Sequence, residues 1–134
     1  MHVVIGVETD MFKGTAPRPD AVNDLIGGDE MAAWLCRELK SRGLDAGEVW
    51  ADDHGWDFNV AHKGCTYLVV CSCDFEDVGA PEREFIVQVS LERSLFDRLL
   101  GRRKVDRQRD KILQTVRSTL AANPAITLTF ERDR

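Results

Sequence analysis

Two periodicities alternate along the chain, and the switches between them mark the elements. His2 to Val7 is a short β-branched run that predicts a first strand. Thr9 to Gly28 then carries Gly14, Pro17, Pro19, Asn23 and the Gly27-Gly28 pair, the composition of a long loop. From Asp29 the period becomes helical. Met31, Trp34, Leu35, Cys36 and Leu39 form an apolar face, against Arg37, Glu38, Lys40 and Arg42 on the polar one. Asp29 suits an N-cap and Gly43 a C-cap, so the spacing predicts a helix over 29–42.

A strand around Glu48 to Ala51 leads to the turn Asp52-Asp53-His54-Gly55. Trp56, Phe58 and Val60 then alternate with Asp57, Asn59 and Ala61, the period-2 pattern of a sheet with one wet face. His62-Lys63-Gly64 reads as a three-residue hairpin turn into a strand from Cys65 to Asp74. Phe75 to Glu82 is an acidic loop before a strand from Glu84 to Leu91. Ser94 to Leu100 suggests a short helix. Asp106 to Ala122 predicts the second long one, with Val105, Ile112, Leu113, Val116 and Leu120 on one side. Asn123-Pro124 ends it, and Ile126 to Glu131 supplies a last strand.

The order β-α-β-β-β-β-α-β predicts an α+β fold. Its centre would be a mostly antiparallel sheet of about five to six strands, with two main helices packed on one face. Residues 1–134 hold no repeat, low-complexity tract or interdomain linker, so a single domain is expected. No run approaches the roughly 18 apolar residues of a spanning helix. The start of the chain shows no secretory leader, which leads to an expectation of a cytoplasmic protein without membrane association.

Charge sharpens this picture. The net charge is −5, but residues 45–91 hold ten acidic residues against Lys63 and Arg83, while residues 92–111 are net basic. The acidic middle argues against a nucleic-acid binder, which would present a broad basic face. Arg102, Arg103, Lys104 and Arg107 form a candidate basic patch, yet Asp106 and Asp110 interleave with it as on an ordinary helix surface.

Most signatures of catalysis and cofactor binding are absent. Gly27-Gly28 has neither the spacing nor the following Lys-Ser/Thr pair of a phosphate loop. Cys65, Cys71 and Cys73 share one face of their strand, but its rise puts Cys65 roughly 26 Å from Cys73, too far to share an ion. With Cys36 they read as reduced core thiols. No cofactor or metal is expected.

The most distinctive segment is Trp50-Ala51-Asp52-Asp53-His54-Gly55-Trp56-Asp57. Trp50, Asp52, Asp53, His54, Trp56 and Asp57 are the candidate partner-binding residues. Acids near a hairpin end attract a cationic partner, and indoles supply contact area at low entropic cost. The bland alternative is good turn chemistry with both indoles in the core. A catalytic alternative uses His54 as a base oriented by an aspartate, in a small metal-dependent or His/Asp hydrolase.

Asp29-Glu30-Met31-Ala32-Ala33-Trp34-Leu35, the turn Asp52 to Trp56 and the stretch from Ser94 to Arg103 together resemble a group of small uncharacterised bacterial proteins, a domain of unknown function. The likeness covers about two thirds of the chain and implies no activity. In general style the chain is also similar to immunity proteins that neutralise bacterial toxins. That likeness implies a non-catalytic module masking a basic protein surface. A homodimer assembled through a free sheet edge is a further expectation.

Overall fold

In the computed structural model, residues 1–14, 18–23, 25–74, 83–91, 99–100 and 108–133 are described. They form an α+β fold: one antiparallel sheet of eight strands and two helices. The strands are β1 (His2–Thr9), β2 (Ile26–Gly27), β3 (Asp45–Ala46), β4 (Trp50–Asp52), β5 (Gly55–His62), β6 (Cys65–Asp74), β7 (Arg83–Leu91) and β8 (Ile126–Asp133). The helices are α1 (Asp29–Ser41) and α2 (Lys111–Ala121). The sheet runs β3-β5-β6-β7-β1-β8, with β4 also paired to β5 and β2 to the end of β6. No helix among the described residues is long and apolar enough to cross a membrane.

The strand count exceeds the expected five to six because of β2 and β3, two residues each. Such short pairings carry no readable alternation. The segment from Thr9 to Gly28 is thus partly sheet, since Ile26 pairs with Asp74 and Gly27 with Cys73.

Alternation decides what each face carries. Val3, Ile5 and Val7 of β1, Trp56, Phe58 and Val60 of β5, Tyr67, Val69 and Cys71 of β6, and Phe85, Val87 and Val89 of β7 are all buried in one cluster. Met31, Leu35 and Leu39 of α1 and Ile112, Leu113, Val116 and Leu120 of α2 complete that cluster, so both helices cover the same face. Burying such side chains stabilises by about 1.5–3 kcal/mol each, which is why the sheet cannot slip by one residue. The intervening residues are thereby committed to the second face.

Local chemistry refines the element ends. Gly28, not Asp29, occupies the N-cap position of α1, and Asp29 and Glu30 lie in the first turn, where the helix dipole favours acids. At the other end Leu44 N–H donates to the Leu39 carbonyl and Gly43 N–H to that of Lys40, a Schellman closure. The β5–β6 hairpin turns on two residues, not three. His62 pairs with Cys65, and Lys63 and Gly64 both take positive φ, at 49° and 74°. Backbone twist of this kind matches the flanking strands.

α2 begins later than its pattern suggests because Asp110 caps it, accepting from Leu113 N–H at 2.8 Å. The second oxygen of Asp110 accepts from Tyr67 Oη at 2.6 Å, tying α2 to β6. The expected short helix over 94–100 and the start of the second helix at Asp106 fall largely outside the described residues, as do Arg102, Arg103, Lys104 and Arg107.

This shared carboxylate generates a test. Tyr67→Phe should cost about 1 kcal/mol, the net worth of one hydrogen bond, whereas Asp110→Ala should cost roughly 2–3 kcal/mol by removing a cap and stranding a buried hydroxyl. In urea unfolding, the double variant should lose less than the sum of the two single losses; strict additivity would show that the bond does not couple the elements.

Candidate functional site

The second face of the sheet holds a cleft of about 630 Å³, within the range of small-ligand pockets. Its lining follows from register. Asp57 pairs with Val70 and Val70 with Gln88, forming one row across β5, β6 and β7. Asn59, Leu68, Ser90 and His2 form the next row, reaching β1. Thr66 and Ile26 complete the walls, and Asp52 and His54 close one end. Apolar residues therefore lie between an acidic end and a neutral hydrogen-bonding end.

The acidic end is built by the β4–β5 hairpin. Asp52 pairs with Gly55 and Trp50 with Asp57, so Trp50, Asp52 and Asp57 share the cleft face by alternation. Gly55 has φ +151°, and a Cβ there would lie 2.6 Å from the Cys71 carbonyl oxygen. Only glycine permits the chain to enter β5 this closely over β6. Asn23 Nδ2 donates to the Asp53 carbonyl at 3.2 Å, tying the preceding loop to the turn.

Asp57 is the unusual group. It is 2% exposed, and its Oδ1 has no hydrogen-bond partner. Burial, reinforced by a hydrogen bond shared with Asp52 and by the charge of Asp52, pushes its carboxyl up to about 7, with His54 opposing the shift. Asp57 is thus half-protonated near neutral pH beside a second carboxylate, the arrangement in which two like charges cannot both ionise freely. Asp52 also accepts from the Asp53 N–H at 2.6 Å.

The opposite end is a neutral chain of side chains. His2 Nε2 meets Gln88 Oε1 at 2.9 Å, so that nitrogen carries the proton and donates to the amide oxygen. Ser90 Oγ then donates to His2 Nδ1, at 3.2 Å. Nothing in the local sequence joins these three residues. Their proximity comes from the β1–β7 register, in which His2 and Ser90 are direct partners.

The structure divides the candidate residues of the hairpin. Asp52, His54 and Asp57 line the cleft. Asp53 is exposed on the turn, and Trp50, 40% exposed, stands at the sheet edge. Trp56 points the other way into the core, with the Arg18 guanidinium 5.3 Å from its ring centre. The acids therefore lie at the end of a concave surface, and only one indole accompanies them on that face. No hydrogen bond joins His54 to either carboxylate among the described residues. Sequence reading missed His2, Ile26, Asn59, Thr66, Leu68, Val70, Gln88 and Ser90. The polar alternation at Asp57 and Asn59 was the available signal for a wet face, but it does not reveal which distant residues share that face.

The cysteines belong elsewhere. Cys36, Cys71 and Cys73 are buried free thiols and Cys65 is a partly buried one. Burial pushes Cys71 and Cys73 up, Cys73 to about 11, so neither is a ready thiolate. No family model, curated protein or solved structure matches the chain.

Keeping an uncompensated carboxyl in this position opposes folding at high pH. The unfolded carboxyl ionises near 3.8, whereas the folded one holds its proton to about 7. Between those values the folded state binds more protons, so the contribution of Asp57 to stability falls as pH rises and levels off above about 7. Asp57→Asn should therefore raise stability at pH 8 by roughly 2–4 kcal/mol and change it little at pH 3.5. Denaturation of both forms across that range checks this, and a pH-independent difference would contradict it.

Proposed function

We propose that this chain is a ligand-binding domain that takes a small molecule into the cleft on the second face of its sheet. The observation carrying this reading is the buried, unpartnered Asp57 Oδ1 at the acidic end of a 630 Å³ cleft. A buried polar atom without a partner costs about 1–3 kcal/mol, and a ligand that satisfies it recovers that penalty on binding. Destabilised groups of this type concentrate at functional sites. The reading keeps the binding role expected from the acidic hairpin and assigns it to a concave wall. A basic side chain from a protein partner, as the likeness to immunity proteins implies, would have to enter the same cleft.

A second reading, acid–base catalysis, is favoured by one observation. A carboxyl held at about 7 beside another carboxylate and an imidazole suits proton transfer near neutral pH. On this reading Asp57 is the acid and Asp52 the group that maintains its proton. Chemical change of a bound ligand, lost in Asp57→Asn while binding persists, separates catalysis from simple binding.

The cleft itself is tested by blocking it. Leu68 stands in its middle row, so Leu68→Trp should abolish the thermal stabilisation produced by ligands found in a small-molecule screen, whereas Asp53→Asn on the outer turn should leave it unchanged. Equal stabilisation of both variants would place the binding elsewhere.

A further inference from the structure

Resting on the reading of the cleft as a ligand site, we infer that its ligand is an extended molecule with a primary amine or guanidinium at one end and a hydrogen-bonding group at the other. The cationic end lies against Asp52 and Asp57, and the uncharged end reaches Gln88, His2 and Ser90.

Four observations support this. Among the described residues, the lining of the cleft includes two carboxyl groups and no lysine or arginine, so none of these supplies a lysine or arginine cation to the acidic end. Asp57 Oδ1 is buried and unpartnered there, and an N–H donor from the ligand completes it. Leu68 and Val70 of β6 lie between the two ends, with Ile26 in the wall, an apolar stretch that suits a hydrocarbon spacer. Asp57 and Gln88 lie on strands separated by β6, and His2 is one strand further. At about 4.8 Å per strand step, the two ends are roughly 10–14 Å apart. A spacer of about six carbons spans the near end of that range.

Ligand charge then couples to protons. Among the described residues, the charged or titratable groups acting on Asp57 in the cleft are Asp52 from β4 and His54 from the turn, while Val70 of β6, Ile26 of β2 and Gln88 of β7 bring no charge. An incoming ammonium stabilises the ionised carboxyl and displaces its proton to solvent. Binding of a cation consequently strengthens as Asp57 ionises, and a neutral ligand shows no such gain.

The probes are 6-amino-1-hexanol and its uncharged counterpart 1,6-hexanediol, followed by chemical-shift titration of the full chain at pH 6 and pH 8. The amine should bind at least tenfold more tightly than the diol at pH 8. Its affinity should fall about tenfold at pH 6, as a carboxyl titrating near 7 requires. Asp57→Asn should remove most of the preference for the amine, and so should Asp52→Asn if the first variant alters the fold. Shifts should map to the Asn59, Leu68 and Ser90 row and disappear in Leu68→Trp.

The outcomes distinguish the charge of the ligand from the location of its site. Equal affinity for amine and diol, with shifts still in the cleft, overturns the cationic ligand and leaves the cleft reading standing. Shifts outside the cleft, or an amine preference that survives Leu68→Trp, overturn both. Absence of amine binding also overturns the inference.

Discussion

Two helices cover one face of the sheet, and that coverage sets the role of almost every other residue. The apolar residues of β1, β5, β6 and β7 can be buried only if they all point toward α1 and α2. Period-2 alternation then sends Asp57, Asn59, Leu68, Val70, Gln88, Ser90 and His2 to the opposite side, with no freedom to choose otherwise. A register slip that relieved the buried carboxyl of Asp57 would also expose Trp56, Phe58 and Val60. The core thus holds the site in an arrangement that the site residues alone would not adopt.

The same constraint explains why a carboxyl can remain buried without a full set of partners. Asp57 lies between Trp50 and Val70 in the sheet, and its strand is anchored on both sides by backbone pairing. Moving it to solvent would mean breaking β5 away from β4 or β6. Protonation is the easier response, aided by the hydrogen bond that the protonated carboxyl donates to Asp52. Local destabilisation is tolerated because the core around Phe58, Val69 and Val87 over-determines the backbone.

Much of the fold was legible because its strong patterns are local. The alternation from Trp56 to Ala61, the helical face from Met31 to Leu39 and the Gly43 closure all state their structure within a few residues. The two-residue strands β2 and β3 were not legible, since pairing at that length depends on where β5 and β6 already lie. α2 begins at Lys111, after the non-helical residues 108–110, because the side chain of Asp110 is engaged by Leu113 and Tyr67, the latter 43 positions distant. The site was half legible. Asp52, His54 and Asp57 stood out by composition, but His2 reaches Gln88 and Ser90 only through antiparallel pairing across more than eighty residues. Trp50 and Trp56 were divided by the hairpin register, which pairs Trp50 with Asp57 and so sets it on the face opposite Trp56.

The protonation state of Asp57 is the property on which the cleft's chemistry most directly rests. Carbon-13 NMR of the aspartate side-chain carboxyls, followed through a pH titration of the intact chain, reads it without reference to any ligand. The Asp57 resonance should titrate at about 7, well above an ordinary aspartate. A midpoint near 4 for Asp57 would mean that the carboxyl is solvated or paired, and would contradict the central claim.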